Sequence, residues 1–327
     1  MLLRSAIATI LAACALSAAV DRANAQAFPS HTITLVVPFP AGGPTDTIGR
    51  IMAEALQSAL GQPVIVENLP GATGSIGTGK AARSEPDGYT LILGTVATHV
   101  FNGAAYQLNY DVVKDFEPIS LVAFDPQIIA VRNTLPVADL AQLISWLKEN
   151  PNKAVAGTAG VGSTSHVSAV TFQTLTGTQF RFVPYRGLGP AMLDLVGGHI
   201  DILFDLAANS VPQVRQGTIR ALAVTSASRL ASAPQVPTVD EAGLRGFYFL
   251  NWHAIWAPRG TPVTVTAKLN AAVANLLADQ RLSKRLADIG QQVPPAAQRT
   301  QQALANYQKE EIERWWPIIK GANIKGE

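Results

Sequence analysis

The hydrophobic pattern of the chain alternates between a strand-like and a helix-like period. Residues 32–37 are β-branched or apolar and end at a proline, which is typical of a short buried strand. After a loop at 39–44, apolar residues recur at helical spacing over 48–60, and Gly61 predicts the end of that helix. Strand, glycine-containing loop and helix therefore form the basic unit.

The same unit recurs along the chain. Further strands are predicted at 64–67, 89–93, 154–157, 200–204 and 221–225, and helices at 80–83, 139–149, 189–196 and from His166 onward. Two segments, 119–131 and 247–257, are extended and apolar, which is typical of strands that cross between lobes. The second carries Trp252 and Trp256, which are interpreted as packing residues. The alternation predicts an α/β fold with a mostly parallel sheet.

The length of the chain favours two α/β units. At 327 residues it exceeds one ordinary core. Charged residues make up 15% and the formal net charge is +2, which excludes a nucleic-acid-binding surface and a disordered tail. The five histidines are scattered without metal-ligand spacing, so neither a metal site nor a cofactor is expected.

The first residues are typical of a secretory signal peptide over 1–27. Arg4 precedes an apolar stretch at 5–20, and small residues around Ala25 and Ala27 offer cleavage sites. Cys14, the one cysteine, follows Leu-Ala-Ala and suggests lipoprotein processing as an alternative. Cleavage there would leave apolar residues 15–20 on the mature chain, so ordinary cleavage and a periplasmic location are favoured.

Three glycine- or serine-rich loops precede predicted helices, at 41–46, 71–79 and 160–166. A helix start exposes unpaired backbone amides and partial positive charge, which bind carboxylates well. If these loops face one another, they form an anion clamp. Thr45 or Asp46 is expected to cap the first of these helices.

Catalytic alternatives are weaker. Residues 74–80 match most of a phosphate-binding P-loop, but Ala81 stands where a hydroxyl is needed for Mg²⁺. Ser163, Ser165 and His166 contain a nucleophile and a base but lack the G-x-S-x-G elbow, so helix capping is favoured. A hydrolase that uses Ser165, or a nucleotide-dependent enzyme that uses Lys80, is therefore disfavoured.

Two isolated charged residues are also candidates for ligand contacts. Asp205 follows a predicted strand, at the end of the sheet where ligands bind in open α/β folds. Arg186 has the planar guanidinium that pairs with a carboxylate.

Taken together, several motifs resemble the substrate-binding receptors of tripartite tricarboxylate transporters, the Bug family. They lie at 37–46, 67–72, 86–91, 115–116, 183–187, 197–201, 221–225 and 237–243. The resemblance implies a periplasmic-binding-protein-like fold of type II, with two lobes and a ligand cleft between them. Lobe 1 would comprise 28–125 plus 252–327, and lobe 2 would comprise 126–251.

The resemblance also implies a monomeric, non-enzymatic receptor for a small mono-, di- or tricarboxylate or an acidic amino acid. Loops at 39–46 and 71–74 would hold one carboxylate, and lobe 2 would close over it. The implied ligand contacts are Phe39, Pro40, Ala41, Gly42, Gly43, Asp46, Gly71, Ala72, Thr73, Gly74, Thr95, Ser163, Thr164, Ser165 and Asp205. The partner would be a membrane transporter or, as an alternative, a sensor kinase.

The chain departs from the family pattern at three positions. Leu69 stands where arginine is frequent, Thr73 where glycine is frequent, and Leu206 where asparagine often follows the aspartate. Leu69 and Thr73 are expected to adjust the first loop, whereas Leu206 weakens the inference of second-lobe contacts from the resemblance.

Overall fold

The computed structural model describes residues 28–326. Its strands are β1 Ile33–Val37, β2 Val64–Asn68, β3 Thr90–Thr95, β4 Phe116–Arg132, β5 Val155–Thr158, β6 Arg181–Pro184, β7 Ile202–Leu206, β8 Ile219–Val224 and β9 Leu250–Pro258. Its α-helices are α1 Pro44–Leu60, α2 Ser75–Ala82, α3 Asn102–Ala105, α4 Leu140–Glu149, α5 Thr164–Thr176, α6 Leu188–Gly197, α7 Ala207–Gln216, α8 Val263–Ala278, α9 Gln280–Asp288 and α10 Gln301–Gly321. The predicted signal peptide and Cys14 lie outside the described residues.

The strands form two sheets that share the long strand β4. In lobe 1 the order is β2-β1-β3-β9-β4, and β1 pairs in parallel with both of its neighbours. In lobe 2 the order is β6-β5-β7-β4, and β8 pairs with the other edge of β4. The α/β architecture with two lobes confirms the predicted fold class. The expectation of a mostly parallel sheet is wrong, because the connecting strands β4 and β9 pair antiparallel with each other and with β3, β7 and β8.

Strands β4 and β9 are the two segments that connect the lobes. Residues 116–126 of β4 pair with β9 in lobe 1, and from Gln127 onward β4 pairs with β7 in lobe 2. The strand runs through Asp125 and Pro126 without a break. The boundary between residues 125 and 126 stays a prediction. The point at which β4 changes its partner from β9 to β7 lies next to it, between Pro126 and Gln127.

Both faces of each sheet are covered by helices, which explains why the strands are almost continuously apolar. On β1, Leu35 and Val37 belong to a hydrophobic cluster with apolar residues of α1 and α8. Val36 belongs to a second hydrophobic cluster, which includes residues of α10. The C-terminal helices therefore complete the core of lobe 1. Over residues 28–326, none of the helices is both long enough and apolar enough to span a bilayer.

Helix α1 begins earlier than the sequence predicts. Its N-cap is Gly43, whose side chain offers no cap, and Pro44 occupies the first helical turn. Proline suits this position because its φ is already helical and its missing N–H would be unpaired there. The expectation that Thr45 or Asp46 caps the helix is therefore wrong. The predicted stop at Gly61 is confirmed, with a left-handed φ of 70°.

Candidate functional site

A small cavity lies between the two lobes. Lobe 1 contributes seven lining residues, Phe39, Pro40, Gly43, Pro44, Thr45, Thr95 and Ala97. Lobe 2 contributes Ala159, Ser163, Thr164, Ser165, Leu188 and Leu206, and Asn251 on β9 completes the wall. None of these lining residues, all within 28–326, carries a charged side chain. An anion in this cavity would therefore be held by neutral donors.

The lobe 1 wall is formed by the start of α1. Helix geometry leaves the amides of Thr45 and Asp46 without an intrahelical partner, and the N-cap residue Gly43 has no side chain that competes for them. The helix dipole adds partial positive charge at the same place. This end of α1 is therefore suited to accept a carboxylate.

The loop before α1 is held from behind by the Asp46 carboxylate. Its Oδ2 accepts hydrogen bonds from Gly42 N at 2.8 Å and from Arg50 Nε at 2.9 Å, and its Oδ1 accepts one from Asn68 Nδ2 at 2.9 Å. Burial opposes ionisation, but these hydrogen bonds outweigh it, so the pKa of Asp46 lies below its ordinary value. Asp46 thus stays ionised and rigidifies the wall.

Neutral histidines support the same wall. Thr45 Oγ1 lies 3.2 Å from Nε2 of His253, which is fully buried on β9. Burial lowers the pKa of His253 to about 3. Thr95 N donates to Thr98 Oγ1 at 2.9 Å, and that hydroxyl lies 2.9 Å from Nδ1 of His99, which is likewise buried. These side chains give the wall hydrogen-bonding capacity without net charge.

The lobe 2 wall is formed by the start of α5. Ser163 is the N-cap, and its Oγ accepts from His166 N at 3.3 Å and lies 3.0 Å from Ser165 Oγ. Ser165 Oγ also accepts from Ala159 N at 2.9 Å. Capping is thus confirmed for Ser163. The His166 Nδ1 accepts from Gly162 N at 3.2 Å rather than from a serine hydroxyl, so no nucleophile–base pair forms here.

The lobes touch on both sides of the cavity. On one side, a Cβ added to Gly187 would lie 2.7 Å from Pro40 Cδ, and one added to Gly189 would lie 3.5 Å from Gly43 Cα. On the other side, Thr73 Oγ1 donates to Val161 O at 2.8 Å. The cavity is therefore enclosed by both lobes.

With this geometry established, comparison with known proteins identifies the family. The model of the tripartite tricarboxylate transporter family receptor matches residues 48–324. The chain belongs to this family. It is therefore a solute-binding receptor and not an enzyme.

Relatives and solved structures agree along nearly the whole chain. A protein of the TAR-I ttuE-ttuC' intergenic region of Agrobacterium vitis is 39% identical over 303 residues, which are 92% of this chain and 87% of that protein. Protein BugT of Bordetella pertussis is 34% identical over 306 residues, 92% of this chain and 93% of BugT.

Solved structures of the family have the same two-lobed fold. The periplasmic binding protein BugD is similar with a TM-score of 0.87 and 35% identity, over 91% of this chain and 99% of BugD. MatC from Rhodopseudomonas palustris, solved with bound malate, has a TM-score of 0.85 and 38% identity, over 89% of this chain and all of MatC. An R. palustris protein solved with adipate has a TM-score of 0.87 and 35% identity, over 91% of this chain and 99% of that protein.

In this receptor, seven of the residues implied by the resemblance lie together around the cavity. They are Phe39, Pro40, Gly43, Thr95, Ser163, Thr164 and Ser165. The other implied residues lie outside the lining: Ala41, Gly42, Asp46, Gly71, Ala72, Thr73, Gly74 and Asp205. Ala41 and Gly42 are exposed, and Thr73 of the Gly71–Gly74 loop is buried and contacts lobe 2.

Asp205 lies within β7 rather than after it, and its carboxylate is turned away from the cavity. It is fully buried and accepts hydrogen bonds from Ser210 Oγ at 2.5 Å and Asn209 Nδ2 at 3.1 Å, both in α7. Burial raises its pKa to about 7. Leu206, the next residue, lines the cavity in its place.

The remaining charged candidates also lie elsewhere. Lys80 Nζ forms a 2.7 Å ion pair with Glu67 on the surface, and Arg186 is exposed. Sequence reasoning included Pro44 and Thr45 in the loop 39–46 without naming them as contacts, and it linked Leu206 only to the second-lobe contacts. It missed Ala97, Ala159, Leu188 and Asn251 as lining residues. Thr45 had a signal, because it follows the glycine loop, but capping was assigned to it instead. Asn251 had none, because its neighbours in the cavity are distant in sequence.

Proposed function

We propose that this receptor works in the periplasm, where it captures a small carboxylate between its lobes and delivers it to a tripartite tricarboxylate-type membrane transporter. The observation that carries the proposal is the start of α1, where no side chain competes for the Thr45 and Asp46 amides beside an enclosed cavity. Malate and adipate in two solved relatives support a carboxylate as the guest. The signal peptide predicted over 1–27 supports export.

In this proposal, the first carboxylate is bound by lobe 1 and the lobes then close by rotation about β4 and β9. Closure of this kind turns about a few residues, and β4 and β9 are the two strands that pass between the lobes. Closure brings Ser163 and Thr164 over the guest, so that lobe 2 adds hydroxyl contacts to the amides of lobe 1. The apolar lining residues Phe39, Leu188 and Leu206 would pack against the carbon skeleton.

A thermal-shift screen of mono-, di- and tricarboxylates and acidic amino acids tests the proposal. A guest at a hundredfold excess over its Kd stabilises the folded state by about 2.7 kcal/mol, which raises Tm by several degrees. The matched control is the amide of each acid that binds, which keeps the skeleton but removes the negative charge. The proposal is wrong if no acid shifts Tm, or if the amides shift it equally.

A further inference from the structure

One backbone carbonyl of lobe 2 accepts hydrogen bonds from two hydroxyl groups of lobe 1. Val161 O accepts hydrogen bonds from Thr73 Oγ1 at 2.8 Å and from Tyr106 Oη at 2.6 Å, and the two hydroxyl oxygens lie 2.9 Å apart. The three groups lie outside the residues that line the cavity. They connect the lobes directly, without any contribution from a guest.

On lobe 1, the backbone holds Thr73 in a conformation that β-branched residues rarely adopt. Its φ of 51° and ψ of 38° are left-handed. Asn102 Nδ2 fixes the residue by donating to Thr73 O at 3.0 Å, and Gly74 N closes the turn by donating to Gly71 O at 2.9 Å. Glycine would occupy this position without strain but would supply no hydroxyl. The strained threonine thus points its donor at the opposite lobe.

The second donor, Tyr106, is held in place by Gly326. Tyr106 follows α3, and Gly326 N donates to the neighbouring Ala105 O at 2.8 Å. Gly326 lies so close to the Tyr106 ring that a Cβ there would overlap it. Burial raises the pKa of Tyr106, so the phenol keeps its proton and remains a donor.

On lobe 2, glycines allow the main chain to come this close. Gly160 and Gly162 flank Val161 with φ values of 103° and 74°. A Cβ on Gly160 would lie 2.8 Å from Thr73 Oγ1, and one on Gly162 would lie 3.1 Å from Ala105 Cβ. Ser163, which caps α5 and lines the cavity, comes directly after this turn. Contact at Val161 therefore positions the loop that leads into the lobe 2 wall.

We propose that Thr73, Tyr106 and the Val161 carbonyl form a latch that sets the balance between open and closed lobes, including before any solute arrives. The inference rests on the proposed function, because it assumes that the lobes open and close around a guest. Thr73 and Tyr106 are positioning residues here and do not contact the solute. A stronger latch favours the closed receptor, which slows both entry and release of the solute.

The latch is tested by measuring the distance between the lobes in protein without added ligand. In a Cys14→Ser background, spin labels on Gln57→Cys in lobe 1 and Leu175→Cys in lobe 2 report the distance by double electron–electron resonance. Both positions are exposed and lie outside the cavity. Loss of a hydrogen bond lowers the closed-to-open ratio by about 2- to 10-fold.

We expect Thr73→Val and Tyr106→Phe each to enlarge the long-distance population, and the double variant to enlarge it most. Thr73→Ser, which keeps the hydroxyl, should retain the wild-type distribution. Thr73→Gly removes the hydroxyl and also the left-handed strain, so it should open the lobes as Thr73→Val does while remaining folded. Tyr89→Phe is the matched control, because among residues 28–326 the Tyr89 hydroxyl bonds only Ser30, which also belongs to lobe 1.

Equal distance distributions in wild type, Thr73→Gly and Tyr106→Phe would overturn the latch. This outcome is separate from failure of the proposed function, because the distances are measured without any acid, whereas that failure shows in the thermal-shift screen of the wild type. Far-ultraviolet circular dichroism confirms that each variant is folded.

Discussion

The two walls of the cavity are both helix starts, but they use their hydrogen-bonding groups differently. Helix α1 in lobe 1 has Gly43 as its N-cap, and no side chain bonds its first amides. Helix α5 in lobe 2 is capped by Ser163, and the hydroxyls of Ser163 and Ser165 bond each other. The lobe 1 wall therefore leaves the first backbone amides of α1 available to a guest. In the lobe 2 wall, many of the hydrogen-bonding groups already bond one another.

The walls also differ in what lies behind them. Behind α1, the Asp46 carboxylate accepts hydrogen bonds from the Gly42 backbone amide, the Asn68 side-chain amide and Arg50, and it stays ionised. Behind the lobe 2 wall, Asp205 is buried with hydroxyl and amide partners, and burial raises its pKa to about 7. The comparison supports the proposal that lobe 1 holds the anion and that lobe 2 closes over it.

Substitution of Gly43 should have the largest effect, because it acts on the lobe 1 donors. The φ of Gly43 is −82°, so the backbone accepts valine, and the added Cβ would lie 3.4 Å from Pro40 O and 3.9 Å from Gly189 N of lobe 2. We expect the valine methyl groups to obstruct the approach of a guest to the start of α1. We expect Gly43→Val to raise the Kd at least about 100-fold, or about 2.7 kcal/mol, as measured by titration calorimetry. Ala41→Val, at an exposed neighbour, is the control. Unchanged affinity in Gly43→Val would place the anion site elsewhere.

The two aspartates behind the walls should respond oppositely to pH. The pKa of Asp46 is lowered in the folded state, so its stabilising contribution is lost as pH falls through that lowered pKa. We expect Asp46→Asn to reduce the free energy of unfolding at pH 7 by about 1.5–3 kcal/mol, since the hydrogen bonds to a charged group are weakened. Urea unfolding should show about the same loss at pH 7 and pH 4, which both lie above the ordinary pKa of 3.8, and a smaller loss as the pH is lowered below 3.8.

For Asp205 the dependence of stability on pH has the opposite sign. Its pKa rises from the ordinary value near 3.8 to about 7 on folding, so the folded state binds more protons between these values and stability falls as pH increases from 4 to 7. Asp125, which is also fully buried, has its pKa raised to about 8, mainly by burial and also by the nearby Asp205, so it contributes a pH dependence of the same sign. Asp205→Asn should flatten the pH dependence over this range. A steeper dependence would contradict the assignment.

Closure from the lobe 2 side should matter less than the lobe 1 donors. Gly187 has an extended backbone that any residue adopts, yet its added Cβ would meet Pro40 Cδ at 2.7 Å. We expect Gly187→Ala to hinder closure and raise the Kd about tenfold, or about 1.4 kcal/mol. Gly189→Ala is matched to it, because its Cβ would make ordinary contact with Gly43 Cα at 3.5 Å. Equal Kd values for the two variants would show that contact at Gly187 does not limit closure.

The smallest effect is expected for the cap of α5. Ser163→Ala removes the acceptor for His166 N and should lower the free energy of unfolding by about 1 kcal/mol. The Kd should change less than threefold, because the amides of α1 remain. Asp139→Ala removes the N-cap of α4, away from the cavity, and controls for the loss of a cap in the same lobe. A loss of affinity as large as that of Gly43→Val would remove the difference between the walls.

Features that depend on neighbours in sequence could be predicted well. The helical spacing of apolar residues places α1, and Gly61 ends it because glycine adopts the left-handed φ of 70° without strain. Ser163 caps α5 because the amide that it accepts from lies only three residues away. The glycine-rich loops at the starts of α1 and α5 indicated where the cavity walls would be.

The directions of side chains could not be predicted in the same way. Asp46 and Asp205 follow motifs that face the cavity, yet both carboxylates turn away from it, toward Asn68 and Ser210 respectively. Asn251 lines the cavity beside Thr164, which is 87 residues away in the chain. Thr73 meets Val161, 88 residues away, instead of lining the cavity.

The sequence alone thus determined most of the alternation of strands and helices, without β6 and α7, as well as the loops before α1 and α5 and the family to which the chain belongs. These depend on periodicity and on backbone preferences, which act over a few residues. Only the tertiary structure decided which of those loops open onto the cavity and which connect the lobes. That choice depends on which groups compete for each donor, and the competitors come together only when distant strands pair and the lobes meet.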